Sequence, residues 1–150
     1  MIEFITTAII TVSSVGLFGY WFRYTCLLIL SAKTARDFAG EVATANQLGF
    51  LHVQLQLRNQ PADLRRLCDA LDRDYAILTR LLQQTGASSA EGFSIEKRML
   101  EINYRLTRAW YRASSQFSAA AAQRALDEMS LVVAHFANMM GEQAASAAAA

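Results

Sequence analysis

Phe4–Phe22 reads FITTAIITVSSVGLFGYWF, nineteen residues without one charged side chain. At about 1.5 Å of rise per residue, such a run as a helix covers roughly the 30 Å hydrocarbon thickness of a bilayer. Arg23, Lys33 and Arg36 follow it, and the rest of the 150-residue chain mixes charge with helical periodicity. The expected fold class is all-α, an N-terminal single transmembrane helix followed by a small antiparallel helical bundle or hairpin. Residues 1–33 form the anchor with an interfacial extension, 34–141 the helical domain, and 142–150 a disordered Ala-rich tail.

Two other readings of the run are weaker. A cleaved signal peptide needs a positive n-region and small residues before the cut. Met1-Ile2-Glu3 is not positive, and Leu30 fills the outer small position of Leu30-Ser31-Ala32. A buried helix of a soluble domain is usually a shorter apolar stretch than this one.

The flanks agree with the anchor. Tyr20, Trp21, Phe22 and Tyr24 cluster beside Arg23; amphipathic rings prefer the headgroup level, and arginine snorkels there. Trp21, Arg23, Tyr24 and Lys33 are therefore the expected membrane-interface residues. The apolar run resumes over Cys26–Leu30, which is expected to lie along the interface. The alternative is a tilted helix with Arg23 held inside a protein complex, because an unpaired arginine within the bilayer is expensive. Basic residues crowd the C-terminal end of the run, so the positive-inside rule places the N-terminus outside and residues 34–150 in the cytoplasm. The address is then a bacterial-type inner membrane, crossed once. Thr7, Thr11 and Ser14 share one helix face, and small hydroxylated residues there favour helix association in lipid.

The apolar fraction, 53%, is slightly above the globular norm. Removing Arg23 and Lys33 from the fourteen basic residues and Glu3 from the thirteen acidic ones leaves twelve of each in residues 34–150. A neutral domain lacks the basic signature of a nucleic-acid binder. The two cysteines, Cys26 and Cys68, form no disulfide framework and read as packing residues. Turn signals are too sparse for a β-sandwich or barrel, with Pro61 the single proline.

Helices are expected at about 34–57, 61–85, 94–116 and 119–140. The first contains Leu51-His52-Val53-Gln54-Leu55-Gln56-Leu57-Arg58, an alternation that reads as a strand. A lone strand has no partner and is unstable in water. Leu48, Leu51 and Leu55 also fit one helix face, so helix follows by elimination. Asn59-Gln60-Pro61-Ala62-Asp63 marks the next start, with Asn59 or Gln60 in the cap region and Pro61 in the first turn. Leu64, Cys68, Leu71, Tyr75, Leu78 and Leu82 then form a seam of coiled-coil type; Leu64, Leu71 and Leu78 are the expected helix-association residues. A Gly/Ser connector, 86–92, leads to Ser94 as the cap of a helix striped by Ile95, Met99, Ile102, Leu106, Ala109, Ala113 and Phe117. So short a connector predicts an antiparallel return. Leu126, Met129, Val133, Phe136 and Met140 then repeat out of phase. At about 100° per residue an unbroken helix would present them on the opposite side. A break near 114–118 with Ser118 as the new cap is preferred to one long helix with two partners. Gly141 ends the last helix.

Arg98, Glu101, Arg105, Arg108 and Arg112 form one stripe, interleaved with Tyr104, Trp110 and Tyr111. Such a stripe is either a solvated face paired with Asp69, Asp72 and Asp74 or a docking surface for anionic lipid or an acidic partner. Arg98, Arg105, Arg108 and Arg112 are the docking candidates. His52 and His135 have no partner at ligand spacing, so no metal site is expected, and His135 is expected to be exposed. No catalytic or cofactor motif is present. The expected function is non-enzymatic: a membrane-anchored interaction or scaffold protein, an accessory subunit of a membrane complex or a homo-oligomer. Its partners would be membrane lipid and partner helices, with no nucleic acid. The alternative is a tethered bundle that senses a ligand in a polar pocket around Tyr75, Asn103 and His52.

Overall fold

The computed structural model describes residues 1–32, 37–59, 63–84 and 91–149. Among them are six helices and no strand. Lys33, Arg36, Pro61 and the connector up to residue 90 lie outside the described residues. The chain divides into two compact units, Met1–Lys33 and Thr34–Ala150.

The first unit is one helix, α1 (Ile2–Ser31). It is long and apolar enough to span a membrane, and none of its most apolar eighteen-residue window is buried. Thr7 and Thr11 do not interrupt it, because their hydroxyls donate to the carbonyls of Glu3 and Thr7, each at 2.8 Å. A hydroxyl so satisfied can sit in hydrocarbon without an unmet donor. The helix runs through Arg23 without a break.

The second unit comprises α2 (Ala39–Ala45), α3 (Phe50–Arg58), α4 (Leu64–Gln84), α5 (Glu91–Ser114) and α6 (Ala119–Ala149). The other four all pack on α6. Their neighbours occupy different sides of it, so α6 is apolar nearly all round: Leu126, Met129, Val132, Val133, Phe136 and Ala137 are completely buried. A helix hydrophobic on every side belongs in a core. Its alanines, Ala122, Ala125 and Ala137, let neighbours approach closely. Along α5 the contacts with α4 run in descending order, from Tyr104 on Tyr75 to Arg108 on Asp72. Those with α6 run the same way, from Glu96 on His135 to Thr107 on Glu128. Both pairings are therefore antiparallel.

Several expected boundaries move. The helix expected over 34–57 is two helices, split at Asn46–Gly49. Gln47 adopts a left-handed φ of 53°. Its N–H reaches Thr44 O at 3.4 Å and that of Leu48 reaches Ala43 O at 2.9 Å. That paired bonding is the Schellman termination, usually built on glycine, and a glutamine at its centre hides it from inspection. The alternating segment is helical, but its buried face is Phe50, Val53 and Leu57, while Leu51 and Leu55 face solvent. Asn59 closes α3 through its N–H to Gln56 O. The cap of α4 is Asp63, whose carboxylate accepts from Arg66 N–H at 3.2 Å. Ser94 lies inside α5 rather than capping it. The break before α6 falls where expected, and Ser118 Oγ accepts from Ala121 N–H at 3.3 Å.

Gly141 does not end α6, and the tail expected to be disordered is helical to Ala149. Alanine has the best helix propensity, so nothing local stops the chain there. The glycine serves packing instead. A Cβ at residue 141 would overlap the Phe38 side chain, lying 2.7 Å from its Cγ and 3.3 Å from Val42 Cγ2. Its bare backbone is the notch that seats the start of α2. One turn earlier, Asn138 Oδ1 accepts the N–H of Phe38 at 2.7 Å.

Candidate functional site

The residues of α1 singled out from the sequence for the membrane interface and for helix association are exposed. Trp21 is 66% exposed, and Tyr24 and Arg23 are exposed on the same stretch. The rings of Tyr20 and Tyr24 stack one turn apart, 6.5 Å between centroids. Thr7, Thr11 and Ser14 are exposed.

Within the bundle, α4 and α5 meet through a polar and aromatic seam. Tyr75 stacks face to face on Tyr104 at 3.9 Å and lies 5.8 Å from the ring of Phe136. Asp72 is the hub. Its Oδ1 accepts from Tyr104 Oη at 3.0 Å, and its Oδ2 accepts from Arg108 Nε at 2.8 Å and Nη2 at 2.6 Å. Burial, followed by the Asp72 carboxylate, raises the Tyr104 phenol well above its ordinary value, so it stays a neutral donor. Arg108 is thereby drawn into the seam, while Arg98, Arg105 and Arg112 are exposed. The stripe read from sequence is divided by one ion pair.

Beside this seam an open groove of about 570 Å³ lies between the start of α4 and the end of α5. Leu64, Arg65, Cys68, Asp69, Asp72, Arg108, Tyr111 and Arg112 line it, with Ser115 and Gln116 beyond. Burial, with Asp72 next in effect, pushes the Cys68 thiol up to about 11. It is protonated near neutrality and is no nucleophile.

Asp74 does not join the arginine stripe. It is 1% exposed and points the other way, where Oδ2 accepts the N–H of Gly49 at 2.7 Å and the carboxylate also takes that of Phe50. It caps α3 from α4, a role no local pattern announces. Leu71 and Leu78 are fully buried in the bundle core, and Leu64 is half-buried at the groove. These three associate helices within the chain.

His52 is exposed on α3. Asn103 is buried and donates to Glu128 Oε1 at 3.1 Å. Tyr75 lies against α5. His135 is not exposed: its Nε2 sits 2.8 Å from Glu96 Oε1, and 13% of its side chain is accessible. Among the described residues no group of three His, Cys, Asp or Glu side chains is placed to hold a metal ion.

The largest correction concerns α5. Its buried face is Leu100, Asn103, Tyr104, Thr107, Tyr111 and Ser114. The stripe expected to form the core faces outward instead. Ile95 is 61% exposed and Leu106 57%, with Ile102, Ala109 and Ala113 also exposed and Met99 half-buried; Phe117, just past the helix end, is 86% exposed, and Trp110 beside the stripe 61%. The polar inner face is tolerated because each side chain finds a partner. Thr107 Oγ1 donates to Glu128 Oε1 at 3.2 Å, and Ser114 Oγ to Tyr111 O at 3.3 Å. Among the described residues no buried side-chain polar atom lacks a partner. The outer side of α5 therefore carries several exposed apolar side chains.

No family model, curated protein or solved structure matches this chain. The function is therefore argued from the two surfaces above.

Proposed function

We propose that this chain is a non-enzymatic, membrane-anchored interaction protein, in which α1 crosses the bilayer and the α2–α6 bundle is a docking module. The observation that carries the reading is α1 itself, a thirty-residue apolar helix whose most apolar window is wholly unburied. In water such a surface would aggregate; in lipid it is at its lowest free energy. Thirty residues reach about 45 Å, the thickness of a bilayer with its headgroups. With Phe4–Phe22 in hydrocarbon, Trp21, Arg23 and Tyr24 fall at the interface. The last eight residues, 24–31, then extend about 12 Å through the headgroup layer.

The basic residues after the span orient the N-terminus outward and the bundle toward the cytoplasm of a bacterial-type inner membrane. Thr7, Thr11 and Ser14 offer a small-residue face for a second copy or a partner helix in the bilayer. The reading is a scaffold or accessory subunit, built on the apolar helix and the outward face of the bundle. Expressed in bacteria, the full chain should stay with the membrane pellet after alkaline carbonate washing. Protease should digest the bundle in inverted vesicles and spare it in spheroplasts. Release by carbonate would remove the anchor, and digestion in spheroplasts would reverse the orientation.

A further inference from the structure

The outward face of α5 is an unpartnered amphipathic surface, and its charge identifies what covers it. At about 100° per residue, Ile95, Ile102, Leu106, Trp110 and Ala113 fall within one narrow strip. Arg98, Arg105 and Arg112 lie along one flank of that strip, and all three are exposed. Trp110 lies in its C-terminal third, 61% exposed. The chemistry is that of a helix lying in the plane of a membrane, with apolar side chains at the acyl boundary, an indole at the headgroup level and guanidinium groups on phosphate. Three acids nearby are committed to other partners: Asp72 holds Arg108, Asp74 caps α3, and Glu128 accepts from Asn103 and Thr107. Glu101 stands within the flank and Asp69 lines the groove beside Arg112, so the flank carries a net positive charge rather than an unopposed one.

We propose that the Ile95–Ala113 face of α5, flanked by Arg98, Arg105 and Arg112, lies on the anionic phospholipid headgroups of the membrane that α1 enters. This rests on the anchor reading above, since one chain carries both and the tether holds the face at high effective concentration beside lipid. A second copy is the weaker occupant. Two such faces laid antiparallel would set arginine flank against arginine flank, a like-charge contact. An acidic leaflet meets the same arginines with opposite charge.

The test uses the full chain with Trp21→Phe, so that Trp110 is the only indole, reconstituted in vesicles of phosphatidylcholine or in an approximately 3:1 mixture with phosphatidylserine. Flotation with vesicles of either composition reports the anchor, and its failure would sink the anchor reading alone. Trp110 emission reports the face. It should shift to the blue, and be quenched by brominated acyl chains, in the anionic vesicles only. Replacing Arg98, Arg105 and Arg112 together by glutamine should abolish that shift while leaving flotation and the far-ultraviolet helix signal unchanged. Equal Trp110 emission in the two lipids would overturn the proposal. So would a shift that grows with protein concentration in detergent without lipid, which assigns the face to a second copy.

Discussion

Gly141 and Asp74 are the residues whose roles depend most on what faces them. Alanine at 141 gains about 1 kcal/mol of helix propensity, but its Cβ would strike the Cβ–Cγ base of Phe38, which cannot swing away as a flexible tip can. Overpacking of this kind costs about 1–3 kcal/mol. Gly141→Ala should therefore lower stability in chemical denaturation. Gly40→Ala should raise it by about 0.5–1 kcal/mol, because nothing lies within 4 Å of a Cβ there. Asp74→Ala leaves the N–H groups of Gly49 and Phe50 without an acceptor and should cost about 1–3 kcal/mol. Burial raises the Asp74 pKa above its ordinary 3.8, against the pull of those two amide donors. A carboxyl raised in the folded state contributes stability below the unfolded value and loses it as pH climbs through the folded one. Denaturation of the wild type and Asp74→Asn from pH 4 upward should therefore show the balance moving toward the variant. Neither role was legible beforehand. Gly141 looks like a helix stop and Asp74 like one more surface acid, because the clash and the caps come from residues 103 and 25 positions away.

At the scale of the element, periodicity located helices well and oriented them unevenly. The seam of α4 was legible because its polar and apolar faces differ sharply: Leu71, Leu78 and Leu82 are buried as spaced. The split before α6 falls where it was read, with Ser118 as the new cap, but the phase argument behind it used the α5 strip that faces outward. For α5 the same reasoning chose the wrong face. It has two apolar strips, and the more hydrophobic one lies outside. What tips the balance is the set of hydrogen bonds from Tyr104, Asn103 and Thr107 to carboxylates on other helices, together with the Tyr75 ring. The assignment has a simple check. Leu100→Ala should cost about 2–5 kcal/mol, as for a fully buried leucine. Leu106→Ala should stay within about 0.5 kcal/mol in the absence of lipid, although its side chain is the same. The reverse order would restore the face read from periodicity.

For the molecule as a whole, α1 and the bundle treat their apolar surface in opposite ways. The bundle hides apolar side chains around α6 and satisfies its buried polar groups internally, as a domain in water must. α1 exposes its apolar surface and turns its threonine hydroxyls onto its own backbone, as a helix in lipid must. If the α5 face also meets lipid, the bundle has one surface built to each rule. Its outward Ile95, Ile102, Leu106 and Trp110 are then a docking strip, and the ion pair of Asp72 with Arg108 keeps one arginine out of it.

The uncharged run at the N-terminus, the all-helical character and the positions of most helices follow from local sequence, because span length, periodicity and capping are properties of neighbouring residues. Which helix sits in the centre, which strip of α5 points inward, and what Gly141, Asp74 and His135 touch were decided by tertiary packing. Those outcomes depend on partners distant in the chain, whose hydrogen bonds make a polar surface as good to bury as an apolar one.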